Sequence, residues 1–325
     1  MKALLLGGTR FLGRSVARRL VALGAEVTVV HRGVTGEAVE GTESVAADRT
    51  QPGSLRVLDG RRFDVVLDLS GYFSDWTRDA IDTLGGRAFH YVFISSGAVY
   101  KPSPELPWPE SLPYGPVPIW GRYGEEKVAS ERMLWQAYAE GRFAVTMFRF
   151  PFILGPGNFA DRESFVFSRL EAGRPILLPG GGAALNQFVY VDDAADALVA
   201  AMLHPDATAG EAYNCTYPAA ITNRGWVELC AAVAGREPWL VDVDEEALGV
   251  SAETVDLTNI VFPYPDEHYV LDGRKLKQHL GIGCTTGHLR MLQEFAAWWP
   301  QVEDHSPRTY EREQRALAAL RLEAG

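Results

Sequence analysis

The feature that most constrains this chain is a short apolar run, Ala3-Leu4-Leu5-Leu6, cut off by the turn Gly7-Gly8-Thr9-Arg10-Phe11-Leu12-Gly13 and followed at once by an amphipathic segment. In that segment, Arg14–Leu23, the apolar residues Val16, Ala17, Leu20 and Leu23 share one helical face. A fully apolar strand that passes through a glycine-rich turn into a helix predicts a strand buried on both faces, with helices as cover. The pattern recurs. Glu26–Val30, Val65–Leu69, Tyr91–Ser95 and Ala144–Phe150 read as further buried strands, and Tyr123–Glu140 reads as a long helix.

Strands that alternate with helices predict βαβ units. The expected fold class is α/β, a doubly wound parallel Rossmann sheet with a smaller C-terminal substrate-binding lobe. Residues 1–150 are assigned to the sheet domain. Residues 151–325 are assigned mainly to the smaller lobe and a C-terminal tail, with Phe188–Leu203 and Ala212–Cys215 returning to the sheet. Lys101–Pro118 is Pro-rich and predicts a loop, and the charged tail from Arg308 predicts a loosely docked helix.

The formal net charge of −11 argues against a nucleic-acid partner and against an anionic membrane surface. No apolar run approaches the roughly 18 residues of a spanning helix, and the apolar N-terminal run is too short for a signal peptide. Cys215, Cys230 and Cys284 are widely spaced and form no CxxC pair, and the seven histidines include no HExxH. The expectation is a cytoplasmic protein with no metal, acting on a small molecule.

Gly8–Gly13 lies between a strand and a helix, the setting in which a G-x-G-x-x-G turn holds a dinucleotide pyrophosphate on a helix N-terminus. Gly7, Thr9, Arg10, Phe11, Leu12 and Gly13 are therefore candidate cofactor residues, with Arg10 standing where the middle glycine is expected. A carboxylate at the end of the second strand would bind the adenosine ribose hydroxyls. Here the residues are His31-Arg32. Arg32 either pairs with a 2′-phosphate, with Arg10 placed to help, or is a solvated loop residue. NADP is favoured on this reading, with NAD the alternative. Asp48 is a candidate for the adenine amino group or a surface turn residue. Leu69, Ser70 and Gly71, at the end of another strand, complete the candidates on this side.

Tyr123 and Lys127 are four residues apart and project from one helix face. A phenol with an ordinary pKa of about 10 is a poor base at neutral pH. An ammonium one turn away favours the phenolate. Ser96 stands at the end of the strand Tyr91–Ser95, where open α/β sheets place their ligands.

Taken together, residues 1–300 resemble an extended short-chain dehydrogenase/reductase of the NAD-dependent epimerase/dehydratase family. The motifs that carry the resemblance are Gly7–Gly13, Ile94-Ser95-Ser96-Gly97-Ala98-Val99-Tyr100, Tyr123–Lys127, Arg149 leading to Gly155-Pro156-Gly157-Asn158, Phe188-Val189-Tyr190-Val191-Asp192-Asp193, and Gly210-Glu211-Ala212-Tyr213-Asn214. The resemblance implies Tyr123 as general acid/base, Lys127 on the nicotinamide ribose, and Ser96 on the reacting carbonyl or hydroxyl. It also implies backbone at Pro151 and Ile153 on the nicotinamide carboxamide, and substrate contacts from Ser96, Gly97, Tyr123 and Asn158. It further implies a homodimer through the helix that begins near Tyr123, whose Met133, Leu134 and Trp135 are candidates for either the interface or the core.

Several departures narrow the reaction. Gly97-Ala98 replaces the Asp-Glu pair of the family's dehydratases, which argues against sugar 4,6-dehydration. Asn186-Gln187 replaces one diphosphate arginine, and Val261–His268 lacks the other. Arg162, Arg169 or Arg174 takes over that role, or the substrate is not a nucleotide sugar. The turn and Phe262–His268 further resemble a subgroup related to chloroplast stem-loop-binding proteins, some of which are linked to RNA. The expected function is hydride transfer at a secondary alcohol or ketone of a sugar, nucleotide sugar or similar polyhydroxylated compound, by an NAD(P)-dependent epimerase or reductase. The alternatives are an NADPH-dependent ketoreductase of a non-nucleotide substrate and, in a different class, a non-catalytic dinucleotide sensor or RNA-binding protein.

Overall fold

The structure is a computed structural model that describes residues 1–34, 36, 38–250 and 258–322. In chain order the first elements are β1 (Lys2–Leu6), α1 (Phe11–Ala22), β2 (Glu26–His31), β3 (Thr42–Ala46), β4 (Phe63–Asp68), α2 (Ser74–Leu84), β5 (Ala88–Ser96), α3 (Gly121–Ala139) and β6 (Ala144–Phe150), strands alternating with helices except that no α-helix separates β2, β3 and β4. Next come β7 (Phe152–Leu154), α4 (Glu163–Ala172), β8 (Pro175–Pro179), β9 (Leu185–Asn186), β10 (Phe188–Tyr190) and α5 (Val191–Leu203). The chain continues through α6 (Pro205–Thr208), β11 (Glu211–Asn214), β12 (Ile221–Thr222), α7 (Asn223–Ala234) and β13 (Trp239–Val243). It ends with α8 (Arg274–Leu280), α9 (His288–Trp298) and α10 (Glu311–Ala319).

Contacts divide the chain into two compact units. The first comprises Met1–Pro151, Val191–Thr216 and Leu271–Cys284, and the second Phe152–Tyr190, Tyr217–Val270 and Thr285–Gly325. The first unit is built on a seven-stranded sheet in the order β11-β6-β5-β4-β1-β2-β3, every neighbouring pair parallel. This is the doubly wound α/β fold. β1 carries no polar side, and Ala3 through Leu6 are wholly buried, because helices cover the sheet. α1 lies beside α5, tied by Ser15 Oγ to Asp192 (2.6 Å) and Arg19 to Asp196 (2.6 Å). α2 lies beside α3, where Thr77 Oγ1 donates to Ser130 Oγ at 3.0 Å.

In the second unit β7 pairs with β10 and β8 with β13, both parallel, and β9 pairs with β12 antiparallel. Here Phe188 contacts the rings of Phe152, Trp226 and Tyr264 at centroid distances of 6.1, 4.3 and 5.0 Å.

Two expectations are corrected. Phe188–Tyr190 does not return to the large sheet, because it pairs with β7 in the second unit; the return begins at Val191. The tail beyond Arg308 is packed rather than loosely docked. In α10, Glu313 forms a buried ion pair with Arg169 at 2.7 Å, and Ala316 and Leu317 join an apolar cluster with Leu177 and Val243. Of the two placements open to Met133, Leu134 and Trp135, interface or core, the structure shows core packing. Leu134 is wholly buried in the core of the first unit, and Met133 and Trp135 pack against that core. Among the described residues, no helix is long and apolar enough to cross a membrane.

Candidate active site

The strands of the large sheet are parallel, so their carboxyl ends share one edge, and the candidate residues of the first unit collect there. The glycines of the first turn are dictated by contact. A Cβ on Gly8 would lie 2.9 Å from Val29 Cγ1, and one on Gly13 would lie 2.6 Å from Gly8 Cα. Gly7 has φ +86°, the left-handed region that favours glycine, and its N–H donates to the Val30 carbonyl at 2.9 Å. Arg10 does not need to be glycine, since its backbone is extended at φ −136°. The strain falls on the next residue, Phe11 at φ +43°. The first turn of α1 contains no acidic residue, and Arg10 at the N-cap makes no side-chain capping bond. Such a helix start suits an anion. The close glycine cradle and this helix end both fit a dinucleotide pyrophosphate.

At the end of β2, His31 Nδ1 accepts from Gly33 N at 3.0 Å, and its Nε2 is buried without a partner. Arg32 is exposed. The Asp48 carboxylate accepts from Thr50 N at 3.0 Å in a tight turn. That bond, aided by the nearby charge of Arg32, holds Asp48 below its ordinary pKa. Asp48 is therefore anchored as a turn residue.

Next to this turn lies a buried ion pair that no local motif announces. Arg49, directly after Asp48, is buried and sends both terminal nitrogens to the fully buried Asp68, at 2.5 and 3.0 Å. It also donates to Ser70 Oγ (3.0 Å) and to the Trp76 carbonyl (2.9 Å). Asp68 in turn accepts from Ser70 N (3.1 Å) and from the Tyr91 hydroxyl (2.6 Å). The turn Leu69-Ser70-Gly71 is thereby pinned. Leu69 N and Ser70 Oγ both donate to the Leu6 carbonyl, at 3.1 and 2.9 Å, which sets this turn against the first glycine turn. The signal for the pair is a charged Asp68 closing the otherwise apolar run Val65-Val66-Leu67.

Ser96 is the last residue of β5, buried, and its Oγ accepts from Ala98 N at 3.2 Å as the N-cap of the 3₁₀ turn Gly97–Val99. Tyr123 lies in the first turn of α3 and is 42% exposed. Gly124 has to be small, because a Cβ there would lie 2.8 Å from Trp120 Cβ. Lys127, one turn on, is only 4% exposed. Its ammonium donates to the carbonyls of Gly71 (2.9 Å) and Ile94 (2.7 Å) and lies 5.9 Å from the Tyr123 ring centroid. Burial lowers the Lys127 pKa to about 8, against the opposing pull of Asp68 and Glu131.

Beside this set runs a buried polar network. Arg149 grips Glu131 through two nitrogens (2.9 and 2.6 Å), and Glu131 also accepts from Ser95 Oγ at 2.5 Å. Arg149 donates to the Tyr100 hydroxyl at 3.0 Å, which donates to Asn214 Oδ1 at 2.8 Å. Arg149 and Asn214 thus hold the carboxyl ends of β5, β6 and β11 in one register.

Pro151 closes the first unit, whereas Ile153 and Asn158 belong to the second. Asn158 Nδ2 donates to Glu163 at 2.8 Å, and the same carboxylate accepts from Gly155 N at 2.6 Å, so Asn158 staples its own loop. Two of the arginines considered as diphosphate ligands are engaged elsewhere. Arg169 is committed to Glu313, and Arg162 donates to the Pro263 carbonyl. Asn186 and Gln187 are likewise occupied, with Asn223 and the Pro218 carbonyl respectively. Among the described residues there is no cluster of three or more His, Cys, Asp or Glu placed to hold a metal ion.

Comparison with known proteins agrees with this geometry. Residues 3–216 match the NAD dependent epimerase/dehydratase family. The chloroplast stem-loop binding protein of 41 kDa b from Arabidopsis thaliana is 28% identical over 296 residues, 86% of this chain and 74% of that protein. The dTDP-6-deoxy-L-talose 4-dehydrogenase (NAD(P)(+)) of Kitasatospora kifunensis is 29% identical over 256 residues, 71% of this chain and 78% of that protein. The UDP-glucose 4-epimerase of Thermotoga maritima, solved with UDP-glucose, superposes with a TM-score of 0.76 over 93% of this chain and 99% of that one. At 19% identity, that likeness speaks for the fold alone. With its glycine turn, its Ser96, Tyr123 and Lys127, and a family match covering most of its length, this chain belongs to the NAD dependent epimerase/dehydratase family, as an NAD(P)-dependent epimerase or oxidoreductase.

Proposed function

We propose that the protein moves hydride at a secondary alcohol or ketone carbon of a sugar, nucleotide sugar or similar polyhydroxylated compound, with Tyr123 as the general acid/base. The observation that carries the proposal is the buried ammonium of Lys127, fixed by two carbonyls one helical turn from a solvent-reached phenol. A bound nicotinamide supplies the hydride acceptor and donor. The residues of the chain do the rest. Ser96 Oγ holds the reacting oxygen, and Tyr123 takes or returns its proton. The Lys127 charge favours the phenolate through space and holds the nicotinamide ribose.

Gly97 and Ala98 offer no acid or base beside Ser96, so elimination of water lacks its catalysts and net redox or epimerisation is favoured. The engagement of Arg169, Asn186 and Gln187 supports a second reading, reduction of a substrate without a diphosphate. NADP is the proposed cofactor, on the ground that an exposed Arg32 follows β2 where a carboxylate would repel a 2′-phosphate. The RNA reading suggested by the name of the plant relative is disfavoured by the net charge of −11.

The test is the Tyr123→Phe protein assayed against ketose and nucleotide-sugar panels with both cofactors. Dinucleotide binding should persist while turnover falls about 10²–10⁴-fold. Turnover equal to that of the unaltered protein would remove Tyr123 from the chemistry.

A further inference from the structure

We propose that Cys215 and Cys284 form an oxidative modification site, in which a two-electron oxidant of the peroxide class joins them as one disulfide. The two sulfurs are 69 positions apart in sequence yet lie 3.5 Å from each other. Both are free thiols, and both are buried in the first unit. Because a disulfide needs a separation of about 2 Å, closure takes a shift of about 1.5 Å.

The surroundings favour a cross-link over reaction with an outside thiol. Cys215 directly follows the edge strand β11, and its N–H donates to the Arg149 carbonyl at 3.1 Å. Cys284 ends the Leu271–Cys284 piece, which β11 already holds at several points. Lys275 Nζ donates to the Ala212 carbonyl (2.7 Å), Asn214 Nδ2 to the Asp272 carbonyl (3.2 Å), and Tyr213 is hydrogen-bonded to His279 (2.7 Å). Each sulfur therefore meets the other before any bulky thiol can enter. The disulfide would fasten this piece covalently to the sheet edge, next to the Asn214–Arg149 network.

The chemistry balances with hydrogen peroxide. The first thiol loses its proton and attacks one peroxide oxygen. The O–O bond breaks, water leaves, and a sulfenic acid remains. The second sulfur attacks that sulfur, the S–O bond breaks, a second water leaves and the S–S bond forms. Two thiols and one peroxide become one disulfide and two waters. Cys284 is the sulfur that reacts with peroxide first, being 5% exposed against 0% for Cys215. Burial and the neighbouring sulfur also push the Cys215 thiol well above its ordinary range. Cys230, buried in the second unit, is the internal control.

The experiment treats the full-length reduced protein with hydrogen peroxide, quenches with catalase and acid, and counts thiols by maleimide alkylation in denaturant and intact mass. The expected result is a fall from three alkylatable thiols to Cys230 alone, with a 215–284 linked peptide that dithiothreitol releases. The oxidised chain should melt a few degrees higher. The Cys215→Ser protein should give an over-oxidised Cys284 and no cross-link. Three thiols remaining under conditions that oxidise the Cys215→Ser protein, a cross-link involving Cys230, or one between chains would overturn the proposal.

Discussion

The carboxylate of Asp68 receives both terminal nitrogens of Arg49, at 2.5 and 3.0 Å, and the turn it supports presents the Gly71 carbonyl to Lys127. Neither member of this pair is at the surface, so removing one leaves a buried charge without its partner. Such a loss costs about 3–5 kcal/mol. Asp68→Asn and Arg49→Met should each lower stability by about that much, and the double variant by clearly less than the sum. Denaturant titration of the unaltered protein and the three variants measures the coupling, and strict additivity would show that the pair acts as two independent residues.

Lys127 gives a pH test with a definite sign. Its pKa is lowered to about 8 in the fold, from an unfolded value of about 10.5. Between those values the unfolded chain binds more protons at this site, so the contribution to stability rises as pH increases from 8 to 10.5. Below pH 8 the buried ammonium is a standing cost. Lys127→Met should abolish turnover at every pH, and its stability relative to the unaltered protein should decline steadily between pH 8 and 10. Thermal melts across that range decide it. A difference that stays constant would show that burial does not depress the lysine.

How much of this could be read in advance depends on the range of the interaction. The alternation of strands and helices was legible because β1, β2, β4, β5 and β6 are each built around buried apolar residues, such as Val27, Val29 and Val30 in β2. The turn Gly7–Gly13 and the Tyr123–Lys127 spacing were legible because each is one local motif. The Arg49–Asp68 ion pair was not, since nothing local joins residues 19 apart until β4 and the loop after β3 are brought together. The left-handed backbone at Phe11 was also hidden: the missing glycine drew attention to Arg10, one residue away from the strain. Phe188-Val189-Tyr190 misled for a different reason. A three-residue apolar strand reads the same in either unit, and only its pairing with β7 distinguishes them.

His90 should govern part of the acid stability. The Thr146 hydroxyl donates to the Thr208 carbonyl at 2.7 Å, so its oxygen accepts from His90 Nε2 at 2.8 Å. The ring hydrogen is therefore on Nε2, and Nδ1 is bare and buried with no partner. Burial lowers the pKa to about 4, from about 6.5 in the unfolded chain. The unfolded state takes up a proton first, so stability present above pH 6.5 is lost as pH falls toward 4, by up to about 3 kcal/mol. His90→Gln should flatten that part of the stability–pH curve, as seen by chemical denaturation at pH 4.5, 5.5 and 7. An unchanged slope would assign the acid sensitivity to other groups.

Arg32 is the sharpest test of cofactor choice. It is exposed just beyond β2, next in sequence to His31, whose Nε2 is buried and unpartnered, and Asp48 feels its charge. A guanidinium there would form charge-assisted bonds to a 2′-phosphate and gain little from a bare ribose. Arg32→Ala should therefore weaken NADPH binding about 10- to 100-fold, at roughly 1.4 kcal/mol per tenfold, and leave NADH binding nearly unchanged. Arg32→Asp should go further, since a carboxylate at this place repels the phosphate and accepts from ribose hydroxyls. Fluorescence titration with each reduced dinucleotide at two salt concentrations separates the cases. Because the contact is exposed, the NADPH difference should shrink at the higher salt. Equal losses for both cofactors would mean that Arg32 supports the loop rather than reading the phosphate, and the choice of NADP would then lose its basis.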